Sequence, residues 1–296
     1  MSQHAPVFVL GDVMTDVVAH VAAPPVAGSD VAARTTPHGG GSAANVAAWL
    51  ADVIPGVTLI GRVGADPFGD AAIQALRDGG VRTLIGRDDR LATGTCVVIV
   101  SPDGERTMLP DPGANDALDV SDMPVDAFAP GSHLHVSGYV LLREGPRAAA
   151  LAAIAAARDA GMTVSVDASS SAPLASIGPQ RFLSWAAPAD VCFANHDEAR
   201  VLTGVDDPAT AAQALTDHFG LVVVKVGNRG ALAADVAGGA WSTPALEVQA
   251  IDTTGAGDAF AAGFLASWTS GADPEAGLRR GARLARRAVA AVGGRP

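Results

Sequence analysis

One carboxylate, Asp258, follows a run of small residues in "DTTGAGDAF" (252–260). Behind it Phe260, Phe264 or Leu265, and Trp268 recur at helical spacing, so "TGAG" (254–257) reads as the turn into a helix. Small side chains there leave backbone N–H groups uncovered. Those donors, with the positive end of the helix dipole, favour an anion. Asp258 in the first turn has two readings. As a cap it adds about 0.5–2 kcal/mol. As a general base it takes a proton from a hydroxyl while Gly255, Ala256 and Gly257 hold the group being transferred.

Four further stretches carry comparable pairs of readings. "HGGGSAANVA" (38–47) places Gly40 and Gly41 where a ligand can approach the backbone, with Asn45 one turn into a helix; the plainer reading is a flexible link into a helix capped by Ser42. Asp16 lies just beyond the first strand, at the edge where α/β proteins bind ligands, and suits the hydroxyls of a polyol. In "NHDEA" (195–199), Asn195 and Glu198 either order waters around Mg2+ or form a capping box. "VKVGNRGAL" (224–232) offers Lys225, Gly227 and Gly230 to a nucleotide, or is an ordinary strand–turn–strand. Neither a Walker A loop nor a Gly-x-Gly-x-x-Gly after the first strand is present, which disfavours a Rossmann dehydrogenase.

The elements that must position these residues alternate between apolar strands and Ala-rich helices. Strands are expected at 6–11, 57–64 and in "HLHVSG", "MTVSVDAS", "DVCFAN" and "LVVVKVG". Helices are expected at 42–52, 70–80, in "GPRAAALAAIAAARDAG", "DEARVLTG" and "DPATAAQALTDHFG", and at 257–270 and 274–292. This alternation predicts an α/β protein of one domain, residues 1–296, with a mostly parallel sheet and helices on both faces. Two segments break the rhythm. Residues 13–37 show strand-like alternation with prolines. Residues 92–112 read as a hairpin turning at Asp103-Gly104. Together they suggest a small antiparallel sheet standing off the main layer, either a lid or decorative hairpins. The closing "GGRP" is expected to fray.

Composition limits the partners. Hydrophobic residues make up 49% and aromatics 4%, and the net charge is -11. That balance disfavours nucleic acid and anionic membranes, though local backbone donors can still hold a small phosphorylated ligand. Without a signal peptide or an apolar run of about 18 residues, a soluble cytoplasmic protein is expected. Cys96 and Cys192 read as buried free thiols, His133 and His135 as structural, and the basic run 279–287 as a solvated helix face.

The order of "GGGSAAN", "NHDE", "VKVGNRGA" and "DTTGAGDAF" resembles the ribokinase-like (PfkB) family of sugar and nucleoside kinases over nearly the whole chain. The resemblance implies a three-layer ribokinase-like fold with a small β lid, a homodimer formed through that lid, and ATP-dependent phosphorylation of a hydroxymethyl group. It implies Asp258 as the base and 255–257 as the anion hole. Asp16, Gly40, Gly41 and Asn45 are then placed on acceptor hydroxyls. Asn195 and Glu198 match a motif linked to Mg2+ and phosphate, and Lys225, Gly227 and Gly230 fall where ATP is held. Asp252 matches a position that binds a monovalent cation such as K+ in many members. Asn115, in "DPGAND", matches a segment that touches substrate below the lid. Two departures point away from ribose: Ser42 replaces a Lys of ribokinase proper, and Gly138 stands where its sugar-binding Glu is expected. The chain also stops soon after "AAVGG", where members often continue with residues that wall the nucleotide and complete the cation site. A nucleoside kinase and a non-catalytic sugar or nucleotide sensor are the alternatives.

Overall fold

The first strand shows how the layers form. Phe8 and Leu10 of β1 (Val7–Leu10) face one apolar cluster, while Val7 and Val9 face another. Strand alternation thus puts apolar side chains on both faces, as a sheet covered on both sides requires. The computed structural model describes residues 5–102 and 105–296, so the Asp103-Gly104 turn and residues 1–4 lie outside the described residues.

After β1 come β2 (Met14–Val21), β3 (Ala33–Gly40), α1 (Ser42–Ala51), β4 (Val57–Gly64), α2 (Pro67–Asp78), β5 (Arg82–Asp88), β6 (Gly94–Val100) and β7 (Arg106–Asp111). Three short 3-10 turns then lead to β8 (His133–Ser137), α3 (Tyr139–Leu142), α4 (Glu144–Asp159), β9 (Thr163–Asp167), α5 (Ser171–Ile177) and α6 (Pro179–Ala186). The remainder is β10 (Val191–Asn195), α7 (His196–Thr203), α8 (Pro208–Leu215), β11 (Leu221–Lys225), β12 (Ala231–Asp235), β13 (Ala240–Thr243), α9 (Ala256–Trp268) and α10 (Pro274–Val289).

The large sheet has the order β13-β12-β11-β10-β9-β8-β1-β4-β5. It is parallel except for β12 and β13, which pair antiparallel at one edge. Parallel pairing aligns the C-terminal ends of the strands. Asn195 pairs in register with Lys225, and Asp167 with Phe193, so the ends of β9, β10 and β11 form one rim. Helices α1, α2, α9 and α10 pack on one face and α4 to α8 on the other, each over its own cluster.

Segments 13–37 and 92–112 supply the strands of a separate four-stranded sheet, β3-β2-β6-β7. It is mixed rather than purely antiparallel, because β2 and β6 run parallel. Its inner face holds Met14, Cys96 and Val98, while Val97 and Leu109 oppose each other on the exposed outer face.

Several boundaries move for local reasons. α2 starts at Pro67, not Asp70, because Asp66 caps it by accepting from the Gly69 N–H at 2.9 Å. Ser42 is the first residue of α1 rather than its cap; Gly41 takes the cap position without a side-chain bond. β5, α5 and α6 had no clear signal, since β5 is only half-buried and the two helices are a turn or two long. His133 and His135 are buried, and both bond to Ser165 on β9 at 2.8 Å. Burial pushes their pKa values down to about 3 and about 4. Both cysteines are free and buried.

Candidate active site

Asp258 sits in the first turn of α9, half-buried, where its two oxygens meet α1. Ser42 Oγ donates to Oδ1 at 2.8 Å, and Asn45 Nδ2 donates to Oδ2 at 2.9 Å. Withdrawal from water pushes its pKa up to about 6, against the two hydrogen bonds, which pull it down. Such a carboxylate is ionised at neutral pH yet basic enough to accept a proton. Ser42 therefore serves the carboxylate across 216 positions instead of capping its own helix.

The turn before Asp258 is open in the chemical sense. Gly255 takes the cap position in the left-handed region at φ 72°, and no side chain caps α9. The Ala256 N–H reaches Thr253 O at 3.3 Å. Those of Gly255, Gly257 and Asp258 meet no acceptor among the described residues. Two of the unspent donors, at Gly255 and Gly257, belong to the 255–257 set that the sequence suggested; Asp258 stands in place of Ala256 as the third, and all three lie beside the carboxylate.

Asp16 lies inside β2 and not beyond a strand end as the sequence suggested; it pairs with His38 of β3, the strand that ends at Gly40. A Cβ at Gly40 would run into the Asp16 carboxylate, so glycine there lets carboxylate and backbone meet. Burial raises the Asp16 pKa, while the charges of Arg295 and His38 oppose the rise. A cavity of about 120 Å³ lies between the small sheet and the 252–254 loop, lined by Asp16, His38, Arg106, Asp252 and Thr254 among others. A larger open hollow of about 600 Å³ runs along α2 past Asp70 and Arg87, away from these residues.

Asn195 and Glu198 form the capping box. Asn195 Oδ1 accepts from the Glu198 N–H at 2.9 Å, and Glu198 Oε2 accepts from the Asn195 N–H at 2.7 Å. Glu198 Oε1 also accepts from Asn195 Nδ2 at 2.6 Å, so both of its oxygens are engaged. Burial and the nearby Asp167 raise its pKa to about 7, against the charge of Lys225. Lys225 Nζ donates to Asp167 Oδ2 at 2.7 Å. Burial opposes the ammonium charge, but Asp167 and Glu198 outweigh it and hold the Lys225 pKa above its ordinary value. Three carboxylates, Asp167, Glu198 and Asp258, thus share one ammonium. That surplus negative charge fits Mg2+, which keeps most of its waters and needs only one or two carboxylates. Among the described residues, no group of three or more His, Cys, Asp or Glu side chains forms a metal cage.

Other expected ligands are committed elsewhere. Asp252 accepts from Arg106 Nη1 and from the Thr254 N–H, both at 2.6 Å, and from the Gly293 N–H at 3.0 Å. Burial works against its ionisation, but those hydrogen bonds and the Arg106 charge hold its pKa below the ordinary value. A guanidinium here occupies the carboxylate, so this arrangement does not fit a monovalent cation at Asp252. Asn115 is engaged with backbone: Oδ1 accepts from the Val13 N–H at 2.9 Å, and Nδ2 donates to Val13 O at 3.0 Å and Pro112 O at 2.8 Å. It braces the start of the small sheet. Gly227 and Gly230 flank a 3-10 turn between β11 and β12, the plain strand–turn–strand arrangement.

Three residues were missed. Asp167 ends β9, and the strand-end argument applied to Asp16 would have found it. Arg106 lies on β7 and reaches Asp252 across 146 positions, with no local signal. Arg295 belongs to the segment expected to fray. That segment is instead tied down: Trp49 Nε1 donates to Gly294 O at 3.0 Å, and Arg295 Nη2 donates to Gly40 O at 2.7 Å.

Comparison with known proteins identifies the family. The sequence model for the pfkB family of carbohydrate kinases matches residues 5–296. The ATP-dependent ribose-1-phosphate kinase of Halopiger xanaduensis is 36% identical over 271 residues, covering 90% of this chain and 86% of that protein. Adenosine kinase from Sinorhizobium meliloti superposes with a TM-score of 0.88 at 26% identity, over 99% of this chain and 96% of that one. Fructokinase from Vibrio cholerae, in a fructose-, ADP- and calcium-bound form, superposes with a TM-score of 0.82 at 29% identity, over 98% and 94%.

Proposed function

The chain belongs to the pfkB family of carbohydrate kinases, and from that premise we propose that it transfers the γ-phosphate of ATP to a hydroxymethyl group of a sugar, with Asp258 as general base. One observation carries the reading: a carboxylate with its pKa raised to about 6 stands beside three unspent N–H groups at an uncapped helix start.

The hydroxymethyl proton passes to Asp258 as the oxygen bonds to the γ-phosphorus. The bond from that phosphorus to its bridging oxygen breaks, and ADP leaves. The N–H groups of Gly255, Gly257 and Asp258 meet the charge that shifts onto the transferred group. Asp16 and the backbone at Gly40 and Gly41 orient the acceptor. Lys225, with Gly227 and Gly230 beyond it, faces the nucleotide. Bound with the nucleotide, Mg2+ supplies neutralisation of phosphate charge, and Glu198 with Asp167 would hold it through water. The small sheet covers the acceptor and keeps water from competing with it.

Asp258→Asn keeps the shape and both hydrogen-bond partners. It is expected to lower kcat by about 10³-fold while ADP binding by calorimetry is retained. Unchanged ATP consumption in that variant would sink the assignment. A nucleoside acceptor is the second reading, supported by the overlap with adenosine kinase. Turnover with adenosine but with no sugar would select it. A dimer through the small sheet completes the proposal, because Val97 and Leu109 stand 38% and 54% exposed on its outer face. Sedimentation equilibrium giving only a monomer would remove that part.

A further inference from the structure

We infer that Arg295 makes this site select acceptors that carry an anionic group, a sugar phosphate over the matching free sugar. The inference rests on the kinase reading and narrows its substrate class. Residues 293–296 are pinned at three points. The Gly293 N–H donates to Asp252 Oδ2 at 3.0 Å, the Trp49 indole donates to Gly294 O at 3.0 Å, and Gly294 packs against Gly255 and Asn45. Pinned there, the segment delivers the Arg295 side chain over Gly39 and Gly40. Nη2 donates to Gly40 O at 2.7 Å, and Nε donates to Asn45 Oδ1 at 3.2 Å.

These contacts change what the acceptor site offers. Gly40 O and Asn45 Oδ1 are hydrogen-bond acceptors suited to sugar hydroxyls, and Arg295 takes both. In exchange it presents donors and a positive charge. Its remaining N–H groups meet no partner among the described residues. Asp16 and Asp258 influence it electrostatically, yet among the described residues neither forms an ion pair with it. Burial dominates over those two carboxylates and pulls the guanidinium pKa down to about 10. Arg295 is half-buried, and a guanidinium partly withdrawn from water carries a cost that a matched partner lowers. A phosphate or carboxylate presents paired oxygens that match its planar fork and relieve that cost. Asp16 stays available for hydroxyls, so the site has one anionic and one cationic contact for an acceptor with both kinds of group.

The test uses the full chain and two acceptor pairs, ribose with ribose 1-phosphate and fructose with fructose 1-phosphate. For each, kcat/KM is measured in the wild type, Arg295→Gln and Arg295→Lys, and ADP binding by calorimetry checks that each variant is folded. The wild type is expected to favour the phosphorylated member of at least one pair by about 100-fold, the scale of a charge-assisted hydrogen bond or two. In Arg295→Gln that ratio should collapse toward one, mainly through KM, and Arg295→Lys should keep part of it. A wild-type ratio near one, or a phosphate preference that survives in Arg295→Gln, overturns the inference and leaves the kinase reading standing. A faster rate with every acceptor in Arg295→Gln also overturns it and makes the segment a plug. Folded, ADP-binding protein that consumes ATP with none of these acceptors overturns it as well; if adenosine and other hydroxymethyl acceptors also fail, the kinase reading falls with it.

Discussion

Helices α7 and α9 both start beside Lys225, and each carries an acid in its first turn. At α7 the acid is spent on its own helix: Asn195 and Glu198 exchange hydrogen bonds with each other's backbone. At α9 no side chain caps the helix, and Asp258 turns outward to Ser42 and Asn45 of α1. The first arrangement stabilises a helix end. The second leaves donors and a basic carboxylate free, which is a poor way to end a helix and a good way to meet a phosphoryl group. An acid near a helix start is therefore decided by where its oxygens go, not by its position in the turn.

The sharpest way to break this contrast is to remove the same N–H from both helix starts. Proline is tolerated in a first turn. Gly257→Pro is expected to lower kcat by about 10²–10³-fold, the scale of one lost oxyanion donor. Asp197→Pro, at the matching place in α7, should cost less than about tenfold, since that end is a cap. Equal losses in steady-state assays would erase the distinction.

A smaller effect separates the two duties of Glu198. Its folded pKa of about 7 lies above the ordinary value, so the folded state keeps a proton that the unfolded chain gives up. Stability from this group is present at low pH and is lost as pH rises from about 4.5 through 7. Glu198→Gln keeps the box and removes that loss, so it should melt above the wild type at pH 8 and not at pH 4. It should also need roughly tenfold more Mg2+ for half-maximal rate, on the scale of a single second-sphere carboxylate. Glu198→Ala breaks the box as well as removing the charge, so it should melt below wild type at pH 4 and below Glu198→Gln at pH 8, each by the equivalent of about 1 kcal/mol. Identical melting of the Gln variant and wild type at pH 8 would show that Glu198 carries no strained charge.

The smallest change probes the outward bonds of Asp258. The acid limb of kcat/KM is expected near pH 6, with activity rising as the carboxylate ionises. Ser42→Ala removes a bond that favours the ionised form, so the limb should move up by about one unit with less than about tenfold loss at pH 8. A limb that stays in place would mean that Ser42 does not tune the base.

How far the sequence could be read follows the range of each interaction. The turn before Asp258, the glycines at 40 and 41 and the paired spacing of Asn195 and Glu198 were legible as motifs, because each depends on residues a few positions apart; Asp16 was legible as a candidate, but it lies inside β2 and not at a strand end. The α/β alternation was legible for the same reason, and it located the small sheet without its mixed pairing. Arg106 and Arg295 were not, since their partners lie 146 and 255 positions away. Nor was Asp252's commitment to Arg106, which turned an expected cation ligand into half of an ion pair.

The amino-acid sequence alone determined where the main helices and strands run, which strands are buried on both faces, and which chemical groups stand near their ends. Those outcomes are set by backbone hydrogen bonding and side-chain alternation over one or two turns. Only the tertiary structure decided which groups meet. Parallel pairing brought Asp167, Asn195 and Lys225 to one rim, the packing of α1 on α9 put Ser42 and Asn45 on Asp258, and the fold of 293–296 onto Trp49 set Arg295 over Gly40. Charges and hydrogen-bond donors act through space once water is excluded between them, and no local pattern in the chain records that distance.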